Sequence, residues 1–176
     1  MTRAASGRRA VLSLGSNLGD RFDYLARAAA LVTQGSDMTL LAASSVYETP
    51  PLGVGAEHGP YLNQVLILDT ALTAAALLRR CQRVEQELGR PAERAKNRPR
   101  SIDIDLISCG AERLPGPGLQ LPHPRYRQRR FVLLPLQEAC PDYRDPVTGE
   151  SIAALLAACK DRSVLLRFTE AEPVPC

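Results

Sequence analysis

Residues 101–107 read Ser-Ile-Asp-Ile-Asp-Leu-Ile, an alternation of apolar and polar side chains with period two. Successive side chains of a strand point to opposite faces, so Ile102, Ile104 and Leu106 share one face while Asp103 and Asp105 share the other. The first face needs an apolar layer to cover it. The second needs water, or something that neutralises two carboxylates.

The rest of the chain supplies partners for such a strand. Residues 10–14 form a short apolar run ended by Gly15-Ser16-Asn17, and after Leu18-Gly19-Asp20 an Ala/Leu-rich stretch predicts a helix from about Arg21 to Val32. Residues 39–47 and 61–69 are strand-like, and the Pro50-Pro51-Leu52-Gly53-Val54-Gly55 loop between them is too long for a tight hairpin. Thr73 is an N-cap for a second helix in which Leu77, Cys81, Val84 and Leu88 recur at helical spacing and Gly89 stands at C′. Gln82 and Glu85 are three apart on its other face.

The order β-α-β-β-α-β predicts an α+β fold with a ferredoxin-like βαββαβ core, an antiparallel sheet with helices packed on it. C-terminal additions follow: a Pro115-Gly116-Pro117-Gly118 loop, a helix in 129–139 interrupted at Pro135, and a short amphipathic helix in 151–159. The 176 residues suit a single domain. Its core spans about residues 10–160, with 1–8 and 170–176 expected to be loosely ordered.

Composition narrows the function classes. The net charge of +3 gives no ground for a nucleic-acid or membrane partner. Only 5% of residues are aromatic and no strand has the aromatic pattern of an RNA-recognition sheet. Five widely spaced cysteines without a C-x-x-C pair encode neither a disulfide framework nor a zinc site, and Cys81 and Cys159 fall among core positions. No run reaches the roughly 20 apolar residues of a membrane span. The expectation is a cytoplasmic monomer acting on small molecules.

The chemistry centres on Asp103 and Asp105. Their Cα atoms should lie roughly 6.6 Å apart at about 3.3 Å rise per residue, which lets their oxygens converge on one divalent ion or bracket two. Hard oxygen ligands suit Mg²⁺, which takes one or two carboxylates and fills its shell with water and phosphate oxygens. Five basic residues (Arg90, Arg94, Lys96, Arg98, Arg100) precede the strand, and Arg125, Arg127, Arg129 and Arg130 follow His123. Carboxylates between two arginine clusters are what a metal-bound polyphosphate requires. The Gly15-Ser16-Asn17-Leu18-Gly19 turn lacks the G-K-[ST] of a P-loop and reads as structural. His123, between two prolines and beside the arginines, is a better site candidate than His58 in its Gly-rich loop.

At these residues the chain resembles the 6-hydroxymethyl-7,8-dihydropterin pyrophosphokinase family. The matching runs are Leu14-Gly15-Ser16-Asn17-Leu18-Gly19-Asp20, Ser45-Val46-Tyr47-Glu48-Thr49-Pro50-Pro51-Leu52-Gly53, Tyr61-Leu62-Asn63, Glu87-Leu88-Gly89-Arg90, Pro99-Arg100-Ser101-Ile102-Asp103-Ile104-Asp105-Leu106, and Pro122-His123-Pro124 with Arg129 and Phe131. The resemblance implies transfer of pyrophosphate from ATP, as co-substrate, to the hydroxymethyl group of the reduced pterin, with AMP as the other product, in folate biosynthesis. It implies two Mg²⁺ ions held by Asp103 and Asp105, and a pterin ring held between Tyr61 and Phe131 with its edge bonded by Thr49, Asn63 and the chain at Pro50 and Leu52. Arg90 and Arg100 are assigned to the phosphoryl groups. Gln82, Glu85, Leu106, His123 and Arg129 are assigned with them around the nucleotide. Asn97-Arg98 stands where many relatives carry Trp-Gly, and Glu93, Gly118 and Gln120 also depart from common family residues.

Overall fold

The computed structural model describes residues 7–51, 59–89 and 100–169. In chain order the elements are β1 (Arg8–Ser16), α1 (Arg21–Val32), β2 (Met38–Ala43), β3 (Tyr47–Thr49), β4 (Tyr61–Thr70), α2 (Ala74–Glu87), β5 (Asp103–Cys109), β6 (Leu114–Pro115), β7 (Gln120–Leu121), a 3₁₀ turn (Tyr126–Gln128), α3 (Arg130–Ala139), α4 (Ile152–Ala158) and β8 (Leu166–Arg167). Local signals set both early helices. The Asp20 carboxylate accepts the Asp23 N–H at the start of α1, and the Thr73 hydroxyl accepts the Ala76 N–H at the start of α2. Gly89, at φ +88°, ends the turn after α2 in a conformation that favours glycine.

The sheet is antiparallel throughout, in the order β5-β1-β4-β3-β8, with β2 also on β4. The continuous strand expected over 39–47 is two strands. Ser44 makes the break: its N–H donates to the Val65 carbonyl at 2.9 Å while its hydroxyl accepts the Val65 N–H at 3.0 Å. The chain then re-enters the sheet as β3, held by Ser45 and Tyr47 hydroxyls that donate to the Glu138 carboxylate of α3 at 2.7 and 2.8 Å.

Both faces of the sheet are covered. Ala10, Leu12, Leu14, Leu62, Leu66, Ile104 and Leu106 pack with Leu25 and Ala28 of α1 and with Leu77, Cys81 and Val84 of α2. The alternate residues Val11, Val65, Ile67 and Ile107 pack with Val132, Leu133 and Leu136 of α3 and with Ile152 and Leu155 of α4. Between Val11 and Leu12 the β1–β5 register shifts, and Ile107 is the extra residue bulged between Leu106 and Ser108.

Two further expectations need correction. Pro135 does not interrupt α3, which runs unbroken over ten residues. Burial of Val132, Leu133 and Leu136 outweighs the roughly 3 kcal/mol that an interior proline costs. Order also begins at Arg8, the last residue of the stretch expected to be loosely ordered, while residues 161–169 extend past the core as an ordered segment. Arg8 and Arg9 pair with Thr70 and Asp69, and β8 lies beyond residue 160. Residues 1–6 and 170–176 lie outside the described residues.

Candidate active site

One sheet face changes character along its length. On β1 the side facing α3 runs Val11, Ser13, Gly15; on β4 it runs Ile67, Val65, Asn63, Tyr61; on β5 it runs Ile107, Asp105, Asp103. The apolar members lie under α3 and α4. The polar members pair across strands, Ser13 with Asp105 and Gly15 with Asp103 and Asn63, and they floor a cleft of about 440 Å³. A volume of that order suits a small ligand.

Each carboxylate meets a guanidinium. Arg100 donates to Asp103 at 3.0 Å, and Arg129 donates to Asp105 at 3.1 Å. All four side chains keep a fifth to a third of their surface exposed, so they remain open to an incoming charged group. Arg100 is fixed through its backbone, whose N–H donates to the Asn17 side-chain oxygen and whose carbonyl accepts the Asn17 N–H. The turn predicted as structural therefore presents a site arginine.

The apolar part of the cleft carries Tyr61, Pro50 and Phe131. Burial pushes the Tyr61 phenol above its ordinary range. The Arg129 guanidinium lies 5.5 Å from the Phe131 ring centre, so the charged and aromatic parts of the cleft adjoin. Asn63 donates its amide to the Thr49 hydroxyl at 2.9 Å, which orients both polar groups on the floor.

His123 stands 3.8 Å from Asp105, and its ring Nδ1 accepts the Arg125 N–H at 3.2 Å. Burial lowers its pKa from the ordinary imidazole value, against Asp105 and reinforced by Arg129 and Arg125. The neutral ring is thus favoured near neutral pH.

Several predicted residues sit elsewhere. Gln82 lines a separate groove on the outside of α2 with Arg79, Arg80, Arg83 and Gln86, because the packing of Leu77, Cys81 and Val84 turns that side of the helix away from the cleft. Glu85 is not on an exposed face: it is buried, and its carboxylate accepts the Ile104 N–H at 2.8 Å, holding β5 from behind. The Leu106 side chain is in the core beneath α1 and α2. Leu52, His58, Arg90, Glu93, Asn97 and Arg98 lie outside the described residues. The cleft adds Ser13 and Gly15, the second belonging to the turn read as structural, together with Gln128 and Asp161. Period-two parity with Val11 signals the first two, whereas nothing near Asp161 in the sequence signals its place.

The two Asp side chains fit a divalent cation. They are hard oxygen donors on one strand face, open into the cleft, and no cluster of three or more His, Cys, Asp or Glu exists among the described residues. An ion there would complete its shell from water and a ligand's oxygens, which is the habit of Mg²⁺.

Fold and cleft together define an α+β protein whose sheet floors a cleft of paired carboxylates and guanidiniums beside aromatic side chains. Comparison with known proteins makes this specific: residues 11–141 match the 7,8-dihydro-6-hydroxymethylpterin-pyrophosphokinase family, and the chain belongs to it. It is 35% identical over 164 residues to the 2-amino-4-hydroxy-6-hydroxymethyldihydropteridine pyrophosphokinase of Bacillus subtilis, covering 93% of this chain and 97% of that one. It is 39% identical over 149 residues to the protein of the same name from Methylorubrum extorquens, covering 85% and 92%. Among solved structures, Plasmodium falciparum HPPK-DHPS wild type with SDX-DHP superposes with a TM-score of 0.67 at 14% identity, over 89% of this chain and 45% of that longer one. That likeness concerns the fold. As a member of the family the chain is a pyrophosphokinase of folate biosynthesis.

Proposed function

We propose that the cleft transfers the terminal pyrophosphoryl group of ATP to the hydroxymethyl oxygen of 6-hydroxymethyl-7,8-dihydropterin, with Asp103, Asp105, Arg100 and Arg129 at the phosphates and Tyr61, Phe131, Asn63 and Thr49 at the ring. The observation that carries this reading is the continuity of the cleft: paired carboxylates and guanidiniums adjoin aromatic and amide groups within one 440 Å³ space. The hydroxymethyl oxygen forms a bond to the β-phosphorus, the bond between that phosphorus and the α-phosphate oxygen breaks, AMP departs, and the hydroxyl proton passes to solvent.

Positioning and neutralisation do most of the work in such a transfer. Arg100 and Arg129 leave their carboxylate partners for phosphate oxygens, to which a guanidinium donates in two-pronged fashion. Two Mg²⁺ ions held by Asp103 and Asp105 would, when bound, neutralise phosphate oxygens as charge develops. Tyr61 and Phe131 stack on the bicyclic ring. Asn63, preset by Thr49, bonds its edge and disfavours rings lacking the matching groups. Family resemblance extends the site to Arg90, Leu52, Pro50 and His123. It also supports reading the observed strand order as a ferredoxin-like core within a single domain. The enzyme works as a cytoplasmic monomer in this reading; no helix among the described residues is long and apolar enough to cross a membrane.

The test supplies ATP, Mg²⁺ and the reduced hydroxymethylpterin and resolves the nucleotide products. AMP in step with pterin diphosphate is the expected result. Formation of ADP, or of no product, would overturn the assignment.

A further inference from the structure

Asp161 lies in the linker between α4 and β8, yet it lines the cleft beside Arg129 and Phe131. Its Oδ2 accepts the N–H of Arg130, the first residue of α3, at 2.9 Å across 31 residues of chain. Its Oδ1 accepts the Ser163 N–H and hydroxyl at 2.9 and 2.5 Å. The N-cap position of α3 is Arg129, which makes no side-chain capping bond of its own. A carboxylate from a distant segment therefore takes the place of the missing cap and meets the positive end of the helix.

That carboxylate is itself held on both sides. Cys159 is buried in the α3–α4 core, and Leu166 and Arg167 pair with Glu48 and Tyr47 of β3. Beyond them the Phe168 N–H donates to the Val46 carbonyl at 2.9 Å, and its ring lies 5.8 Å from that of Phe22. Residues 160–168 thus link α3 to the sheet edge that carries Thr49. The capped residue, Arg130, lies between the two residues whose guanidinium and ring stack in the cleft.

We propose that Asp161 is a positioning residue for the ring-binding wall: by capping α3 from outside the helix it fixes the backbone that presents Phe131 to the bound pterin. This rests on the reading of Phe131 as a ring-stacking residue. Arg129 depends on it less, since it precedes the first turn of α3 and reaches the phosphates on a long, rotatable side chain, whereas Phe131 is a ring set within that turn. The effect of losing the cap should therefore fall on the pterin more than on the nucleotide.

The experiment measures dissociation constants for the reduced pterin and, separately, for a non-hydrolysable ATP analogue with Mg²⁺, in wild type, Asp161→Ala, Asp161→Asn and Phe131→Ala, with melting temperatures alongside. Loss of a cap of ordinary strength corresponds to roughly a 3- to 20-fold weaker pterin complex in Asp161→Ala. The nucleotide constant should stay within about twofold, and Asp161→Asn, which keeps an acceptor for the Arg130 N–H, should recover most of the loss. Unchanged pterin affinity in Asp161→Ala overturns the proposal, and so does an equal loss for both ligands that Asn fails to recover. If the Ala variant does not fold, Asp161→Ser, whose shorter side chain falls away from Arg130, takes its place under the same outcomes. Full pterin affinity in Phe131→Ala would instead place the fault in the ring assignment.

Discussion

Asn17 and Arg100, 83 residues apart, are joined by two hydrogen bonds: the Asn17 N–H donates to the Arg100 carbonyl at 3.1 Å, and the Arg100 N–H donates to the Asn17 side-chain oxygen at 2.8 Å. The pair ties the end of β1 to the entry of β5 and aims the Arg100 guanidinium along the strand toward Asp103. Asn17→Ala should lower kcat by roughly 10- to 100-fold with a smaller change in KM, because misplacing a group that acts in the transition state costs rate more than ground-state binding. Asn17→Asp keeps the acceptor and should lose less. Steady-state kinetics decide this, and a kcat within twofold of wild type in the Ala variant would show that Arg100 needs no such tether.

Replacement of either carboxylate on the cleft floor separates fold from turnover. Asp103→Ala and Asp105→Ala should leave the circular-dichroism spectrum and melting temperature close to wild type while abolishing AMP formation at any Mg²⁺ concentration. Each side chain is about a third exposed, so its removal leaves no buried hole. Normal Mg²⁺-dependent turnover in either variant would discredit the metal assignment.

Glu85 should prove to be a stabilising residue for the floor. Removing its carboxylate strands the buried Ile104 N–H, between the two aspartates in sequence, and Glu85→Ala should cost about 1–3 kcal/mol in denaturant unfolding. Glu85→Gln retains an acceptor and should cost less than half of that. Equal stability of all three proteins would mean that β5 needs no support from α2.

Asp145 gives the pH dependence of stability. Burial opposes its ionisation, but donation from Arg127, from the Tyr126 hydroxyl and from the Val147 and Thr148 N–H groups outweighs burial and holds the carboxyl well below the usual range. A group lowered in this way contributes stability that is present above its unfolded pKa and lost as pH falls through the folded one. Wild type should therefore exceed Asp145→Asn in melting temperature at pH 7, and the gap should narrow steadily below about pH 4. A gap independent of pH would assign the effect to geometry alone.

The sequence disclosed whatever repeats locally. Strand β5 follows from period two, β1 from an apolar run, β4 from strand-like composition, α1 from an Ala/Leu-rich stretch, and α2 from apolar residues at helical spacing behind the Thr73 cap. Features set by distant contacts were hidden. The break at Ser44 depends on Val65, the persistence of α3 through Pro135 depends on the layer beneath it, and the cap on Arg130 arrives from Asp161. The location of Gln82 was hidden for a related reason: residues three apart are neighbours on a helix, but only packing decides which flank faces the sheet. The Asp103 and Asp105 pair was legible because strand parity alone determines it.

The bulge at Ile107 acts as a phase shift in that parity. Leu106 and Cys109 both face α1 and α2 although three positions separate them, so the bulge reconciles an inward cysteine with outward aspartates on one strand. Deleting a single residue there would not shorten a loop. It would let β5 run as a regular ladder with Leu106 and Cys109 two apart and still on one face, but it would withdraw the fully buried Ile107 side chain from the layer beneath α3, so a trimming that spares the alternation would hollow the other side of the sheet.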